Sequence, residues 1–132
     1  MNTLHWTDWF IRLAFLATGI INLLPLAGLL GRPMLERAYG VSLGQGHDLT
    51  ILMQHRALLF GLLAGACFAG IFMPSWRTPV ATAALISMLG FALIAALQPH
   101  GVAISKIIWI DIGASLLLAI GLLMHIKSST AF

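Results

Sequence analysis

The chain has 132 residues, of which 60% are hydrophobic and 8% charged, with a formal net charge of +3. An average soluble domain is about 45–50% apolar with glycine included and about 25% charged, so an ordinary soluble globule is excluded because its surface could not be covered. A disordered chain, which needs low hydrophobicity and high net charge, is excluded as well. What remains is a single domain over residues 1–132 whose solvent is lipid.

The apolar runs predict an all-α, integral membrane four-helix bundle, with spans at approximately 10–31, 49–73, 79–98 and 106–126. About 20 helical residues cross a hydrocarbon core of ~30 Å, and a backbone surrounded by lipid must satisfy its own hydrogen bonds, which selects helix over strand. Trp6 and Trp9 precede the first span, which contains Thr18, Asn22 and Pro25. Its apolar run is too long for a signal peptide, and no small-x-small cleavage site follows, so the segment is expected to stay as a helix. Pro25 is expected to bend or break that helix beside Asn22.

The connection from Gly31 to His47 begins with Met34-Leu35-Glu36-Arg37-Ala38-Tyr39. A short interfacial helix is predicted there, with Leu35, Ala38 and Tyr39 toward lipid. Gly40 to Gly46 reads as a flexible turn, and Asp48 as the N-cap of the second span. Pro74 and Pro79 bracket an expected turn, Ser75-Trp76-Arg77-Thr78, and Pro99 closes the third span. Trp76 and Trp109 complete an aromatic belt.

Four spans place both termini on one side, side A. It carries Arg12, Arg77 and Lys127, while side B carries Arg32, Arg37, Arg56 and Lys106. The near-even split leaves the positive-inside rule undecided, and cytoplasmic termini in a bacterial inner membrane are the working expectation. Most of the cations read as headgroup anchors at span ends. Without a basic stripe and interleaved aromatics, no nucleic-acid partner is expected. Cys67 is the lone cysteine and reads as a small packing residue.

Two charges, Arg56 and Asp111, lie inside the spans away from their ends, where insertion costs roughly 2.5–3.5 kcal/mol near the bilayer centre. Counted from side A at 1.5 Å per residue, Arg56 lies about 26 Å deep and Asp111 about 22 Å. Matched depth makes them expected partners in an ion pair. Asn22, Gln54, His55, Gln98, His100 and Lys106 gather toward the same side, and these eight residues form the candidate ligand-binding set. A structural reading stands beside it: one buried salt bridge can fix helix register and do nothing else.

A haem needs two axial imidazoles at one depth, and only His55 lies well inside a span, so no haem is expected. His47, Asp48, His55 and His100 lack metal-ligand spacing, and no metal is expected either. Gly61, Gly65 and Ala69 on the second span, with Gly113 and Gly121 on the fourth, read as bundle or dimer contacts.

Ile21-Asn22-Leu23-Leu24-Pro25, Ala38-Tyr39-Gly40-Val41, His55-Arg56-Ala57-Leu58-Leu59-Phe60-Gly61 and Asp111 together resemble a family of small bacterial membrane proteins. That family often carries the name phosphopantetheine adenylyltransferase. The resemblance spans nearly the whole chain in short pieces; it implies the four-span fold and draws attention to Asn22, His55, Arg56 and Asp111 without supplying a reaction. The enzyme properly so named is a soluble α/β protein with an H-x-G-H motif. Here His100-Gly101 is followed by Val102-Ala103, and adenylyltransferase activity is rejected. A more distant likeness is to small four-helix proteins of the DoxX type.

The leading expectation is a membrane protein that binds an amphipathic ligand, with a lipid, isoprenoid or quinone headgroup at the side-B cluster. His55 is the candidate acid/base if any chemistry occurs. The alternatives are an accessory or assembly subunit packing against a larger membrane complex through its small-residue faces, with a purely structural salt bridge, and a small oligomeric transporter; the expected partners are membrane lipid and a homo-oligomer or larger membrane complex.

Overall fold

In the computed structural model, residues 3–130 are described. Helix α1 spans Thr3–Leu23 and runs into a 3-10 segment, Leu24–Leu30; α2 is Arg32–Tyr39, α3 His47–Phe72, α4 Pro74–Ala96 and α5 Val102–Thr130. Four stretches are long and apolar enough to cross a membrane: His5–Leu30, His47–Phe72, Pro74–Ala96 and Val102–Thr130. The protein is an all-α, multi-pass membrane four-helix bundle. Helix α1 packs against α3 and α5, and α4 packs against the same two, so each long helix has two neighbours.

The distribution of side chains follows from lipid on the outside. Leu13, Leu62, Ile86, Leu93, Leu116 and Leu123 are exposed, while the core collects Ala14, Ala81, Ala84 and Ala114 around Ile11, Phe15, Met88 and Leu118. Lipid tails are as apolar as leucine, so burying large side chains gains little; small residues let helices approach and pack by dispersion. Gly70 of α3 shows the scheme, since a Cβ there would stand 3.1 Å from the Phe15 ring of α1. Gly61 likewise receives Leu26, whereas Gly65 and Gly113 have no neighbour within 4 Å of where a Cβ would stand. Those two are not points of close helix approach within the bundle.

Pro25 ends α1 as an α-helix. The chain tightens into the 3-10 segment, because proline offers no N–H to continue the ladder.

Helix α2 corrects one expectation. Leu35 and Tyr39 do not face lipid; they are 0% and 6% exposed and pack with Leu43, Met53 and Ile107, while Ala38 is exposed and lines a cavity beside Tyr39. The cause is Gly28, whose missing side chain leaves the seat that the Leu35 side chain fills. Residues 40–46 are likewise no free turn. Gly40 closes α2 in the left-handed conformation at φ 61°, and the Leu43 N–H donates to Glu36 Oε1 at 2.9 Å. That bond, with the Arg32 guanidinium 3.3 Å away, holds the Glu36 carboxyl below the usual glutamate range.

Two further boundaries differ from expectation. Asp48 does not cap α3: the helix begins at His47 after Gly46, and Asp48 stands in the first turn without a side-chain cap, where its charge still complements the helix dipole. Ser75-Trp76-Arg77-Thr78 is not a turn. Only Met73, in extended backbone, separates α3 from α4, and α4 starts at Pro74 with Pro79 inside it. Proline at a first helical position costs no hydrogen bond.

Candidate functional site

The break at Pro25 leaves room at the side-B end of the bundle. A cavity of about 350 Å³ opens there, lined by Asn22 at the end of α1, Tyr39 of α2, Arg56 and Phe60 of α3, Phe91 of α4 and Asp111 of α5. Each residue arrives by helical spacing: Arg56 and Phe60 stand four apart on α3, as do Ile107 and Asp111 on α5. Every element of the bundle therefore contributes to this one space.

The expected Arg56–Asp111 ion pair is absent. Among the described residues the ion pairs are Arg12–Asp8, Arg32–Glu36 and Arg77–Asp8. The Arg56 guanidinium carbon instead lies 5.2 Å from the centre of the Phe60 ring and 4.9 Å from that of Phe91. Two aromatic faces offer a half-buried cation a partial substitute for a carboxylate. Arg56 and Asp111 thus face the same cavity as unpaired opposite charges.

Tyr39 was not among the residues singled out for a site. Its hydroxyl is buried without a hydrogen-bond partner. Burial holds the phenol above its usual pKa; the Arg56 charge opposes this and the Asp111 charge adds to it. A buried hydroxyl left unpaired costs about 1–3 kcal/mol, so this group wants a partner that the protein does not supply. Its signal in the sequence was spacing: Leu35 and Tyr39 stand four apart, and such a pair on a short helix can face a bundle as readily as a bilayer. Asn22 is 3% exposed, and its side-chain amide donates to Thr18 O at 2.9 Å.

The other predicted site residues lie elsewhere. Gln98 and His100 line a second, more open cleft of about 550 Å³ between α3 and α4, on the far side of Arg56. His100 Nδ1 is 2.9 Å from Gln98 O. His55 and Lys106 are exposed and Gln54 is half-buried, and none of the three lines either space. Adjacent residues on a helix point about 100° apart, so His55 cannot share the direction of Arg56. Among the described residues no three histidine, cysteine, aspartate or glutamate side chains come together as a metal site requires.

The opposite end holds a cluster that reading by span ends did not find. Asp8 lies inside α1 and bridges two arginines: Oδ2 is 2.6 Å from Arg12 Nε and Oδ1 is 2.7 Å from Arg77 Nη1. Arg77 is no headgroup anchor, being only 2% exposed. Its Nε donates to Gly70 O at 3.1 Å and its Nη2 to Ile71 O at 3.4 Å. These carbonyls belong to the last turn of α3, where intrahelical donors run out. An arginine from the first turn of α4 therefore caps α3 and ties it to α1. The legible signal was the Asp8–Arg12 spacing of four.

No protein-family model, curated protein or solved structure matches the chain significantly.

Proposed function

We propose that the protein binds a small amphipathic molecule in the 350 Å³ cavity, with its polar head among Asn22, Tyr39, Arg56 and Asp111. Its tail lies against the apolar walls and between the helices. One observation carries this reading: two unpaired opposite charges and an orphaned buried hydroxyl surround the same space. Structural polar groups in a membrane bundle are usually paired with one another; these are not. Arg56 offers donors to a carbonyl or phosphate oxygen, Asp111 accepts from a hydroxyl or amine, and Tyr39 can do either. A lipid, isoprenoid or quinone headgroup has the required chemistry. The reading is of binding and not of turnover, because the exposed His55 lies outside the cavity. The resemblance to small bacterial membrane proteins supports an inner-membrane setting; termini in the cytoplasm are the orientation adopted with it.

Native mass spectrometry of protein extracted in mild detergent tests the proposal. A discrete non-protein mass on the wild type, lost in both Arg56→Gln and Asp111→Asn while the fold is kept, is the expected result. A wild type that carries no specific mass but co-purifies with other polypeptides would favour an accessory subunit instead.

A further inference from the structure

The cavity and the outer cleft share Arg56, Phe60 and Phe91 as a common wall, yet their chemistry differs. The inner cavity has an acidic residue, Asp111, in its lining. The outer cleft has no acidic residue in its lining, only Arg56 and His100 as ionisable groups, with Gln98 beside them. Below these polar groups it continues as an apolar groove along Leu63 of α3 and Ile86 of α4. From Ile86 to Gln98 the rise is about 18 Å at 1.5 Å per residue, so the groove runs along the bilayer normal for a long hydrocarbon chain. Its floor is made of Ser87 and Gly90, and nothing lies within 4 Å of where a Gly90 Cβ would stand.

Depth fits the same occupant. Arg56 stands about 24 Å from the side-A end of α3 at Phe72, and so about 6 Å inside the side-B edge of a ~30 Å hydrocarbon core. That is within reach of a snorkelling arginine. Its guanidinium forms no ion pair with any acidic side chain among the described residues, which leaves its donors free for a phosphate at the membrane surface.

We propose that the α3–α4 cleft is a binding site for one anionic bilayer phospholipid, its phosphate at Arg56, Gln98 and His100 and an acyl chain over Gly90 and Ser87. The site lies on the other face of the common wall from the inner cavity, and the proposal stands whether or not the cavity holds a ligand. Because one guanidinium faces both spaces, a lipid in the cleft and a ligand in the cavity share its donors.

The test is native mass spectrometry of delipidated protein in nonionic detergent, titrated separately with dioleoyl phosphatidylglycerol and dioleoyl phosphatidylcholine. One phosphatidylglycerol is expected to bind with on the order of tenfold preference, equivalent to ~1.4 kcal/mol. Arg56→Gln should bring the two lipids to parity. Gly90→Leu and Ser87→Leu should each remove the bound phosphatidylglycerol, while Tyr39→Phe, which touches only the inner cavity, should leave it in place. Equal binding of the two lipids by the wild type would overturn the proposal. So would retained phosphatidylglycerol in Gly90→Leu, or in Ser87→Leu should Gly90→Leu not fold. Weakened binding of the inner ligand with phosphatidylglycerol retained, as expected for Tyr39→Phe, separates this site from the inner one.

Discussion

Tyr39→Phe should change the stability of the protein in opposite directions with and without ligand. The hydroxyl is buried and unpartnered in the ligand-free protein, a state that costs about 1–3 kcal/mol. Deleting one oxygen leaves the ring packed with Leu35 and Leu43 and removes that cost. The ligand-free variant should therefore gain about 1 kcal/mol, a rise of about 4 °C in melting temperature for a chain of this size. When the ligand is bound, the hydroxyl has its partner, and the variant forfeits a hydrogen bond of about 0.5–1.5 kcal/mol. Thermal unfolding in nonionic detergent, before and after stripping of co-purified small molecules, reads both signs. If Tyr39→Phe destabilises the stripped protein as much as the freshly extracted one, the hydroxyl has an internal partner and does not await a ligand.

Three further outcomes follow from other parts of the molecule. Asp8→Asn should lower stability by about 2 kcal/mol, because it leaves the buried Arg77 charge with carbonyls alone. In a double-mutant cycle with Arg77→Gln the two losses should fall short of additive by at least about 1 kcal/mol, and additive losses would show that Asp8 and Arg77 are not coupled. Glu36, whose folded pKa is lowered, holds Leu43 fully above its ordinary pKa and releases it as the pH falls through the lowered value. Protection of the Leu43 amide from hydrogen exchange, corrected for intrinsic rates, should fall over that window and should be pH-independent in Glu36→Gln. Gly28→Val should detach α2, since a Cβ at residue 28 collides with the Leu35 side chain; limited proteolysis within residues 40–46 should accelerate relative to wild type.

The fold was largely legible because lipid imposes length and polarity on every span. Four apolar runs separated by proline and polar residues leave few alternatives to a helical bundle, and Pro25 stopped α1 as expected. What could not be read was direction around each helix. Arg56 and Asp111 stood at matched depth, but depth does not say which way a side chain turns, and the Phe60 and Phe91 rings took the guanidinium. Tyr39 was assigned to lipid because an amphipathic octapeptide presents the same face to a bilayer and to a bundle; the docking seat at Gly28 lies in another segment. Arg77 passed for an anchor because the turn expected around it was in fact the first turn of α4. Its capping role depends on the carbonyls of Gly70 and Ile71, which only the fold brings within reach of the guanidinium.

The central claim is that the inner cavity is built for a ligand, and an experimental structure of the wild type extracted in mild detergent tests it most directly. Non-protein density is predicted between Tyr39, Arg56 and Asp111, within hydrogen-bonding distance of the phenol oxygen and of at least one of the two charges. A cavity closed by a direct Arg56–Asp111 ion pair, with the Tyr39 hydroxyl bonded to protein, would contradict it.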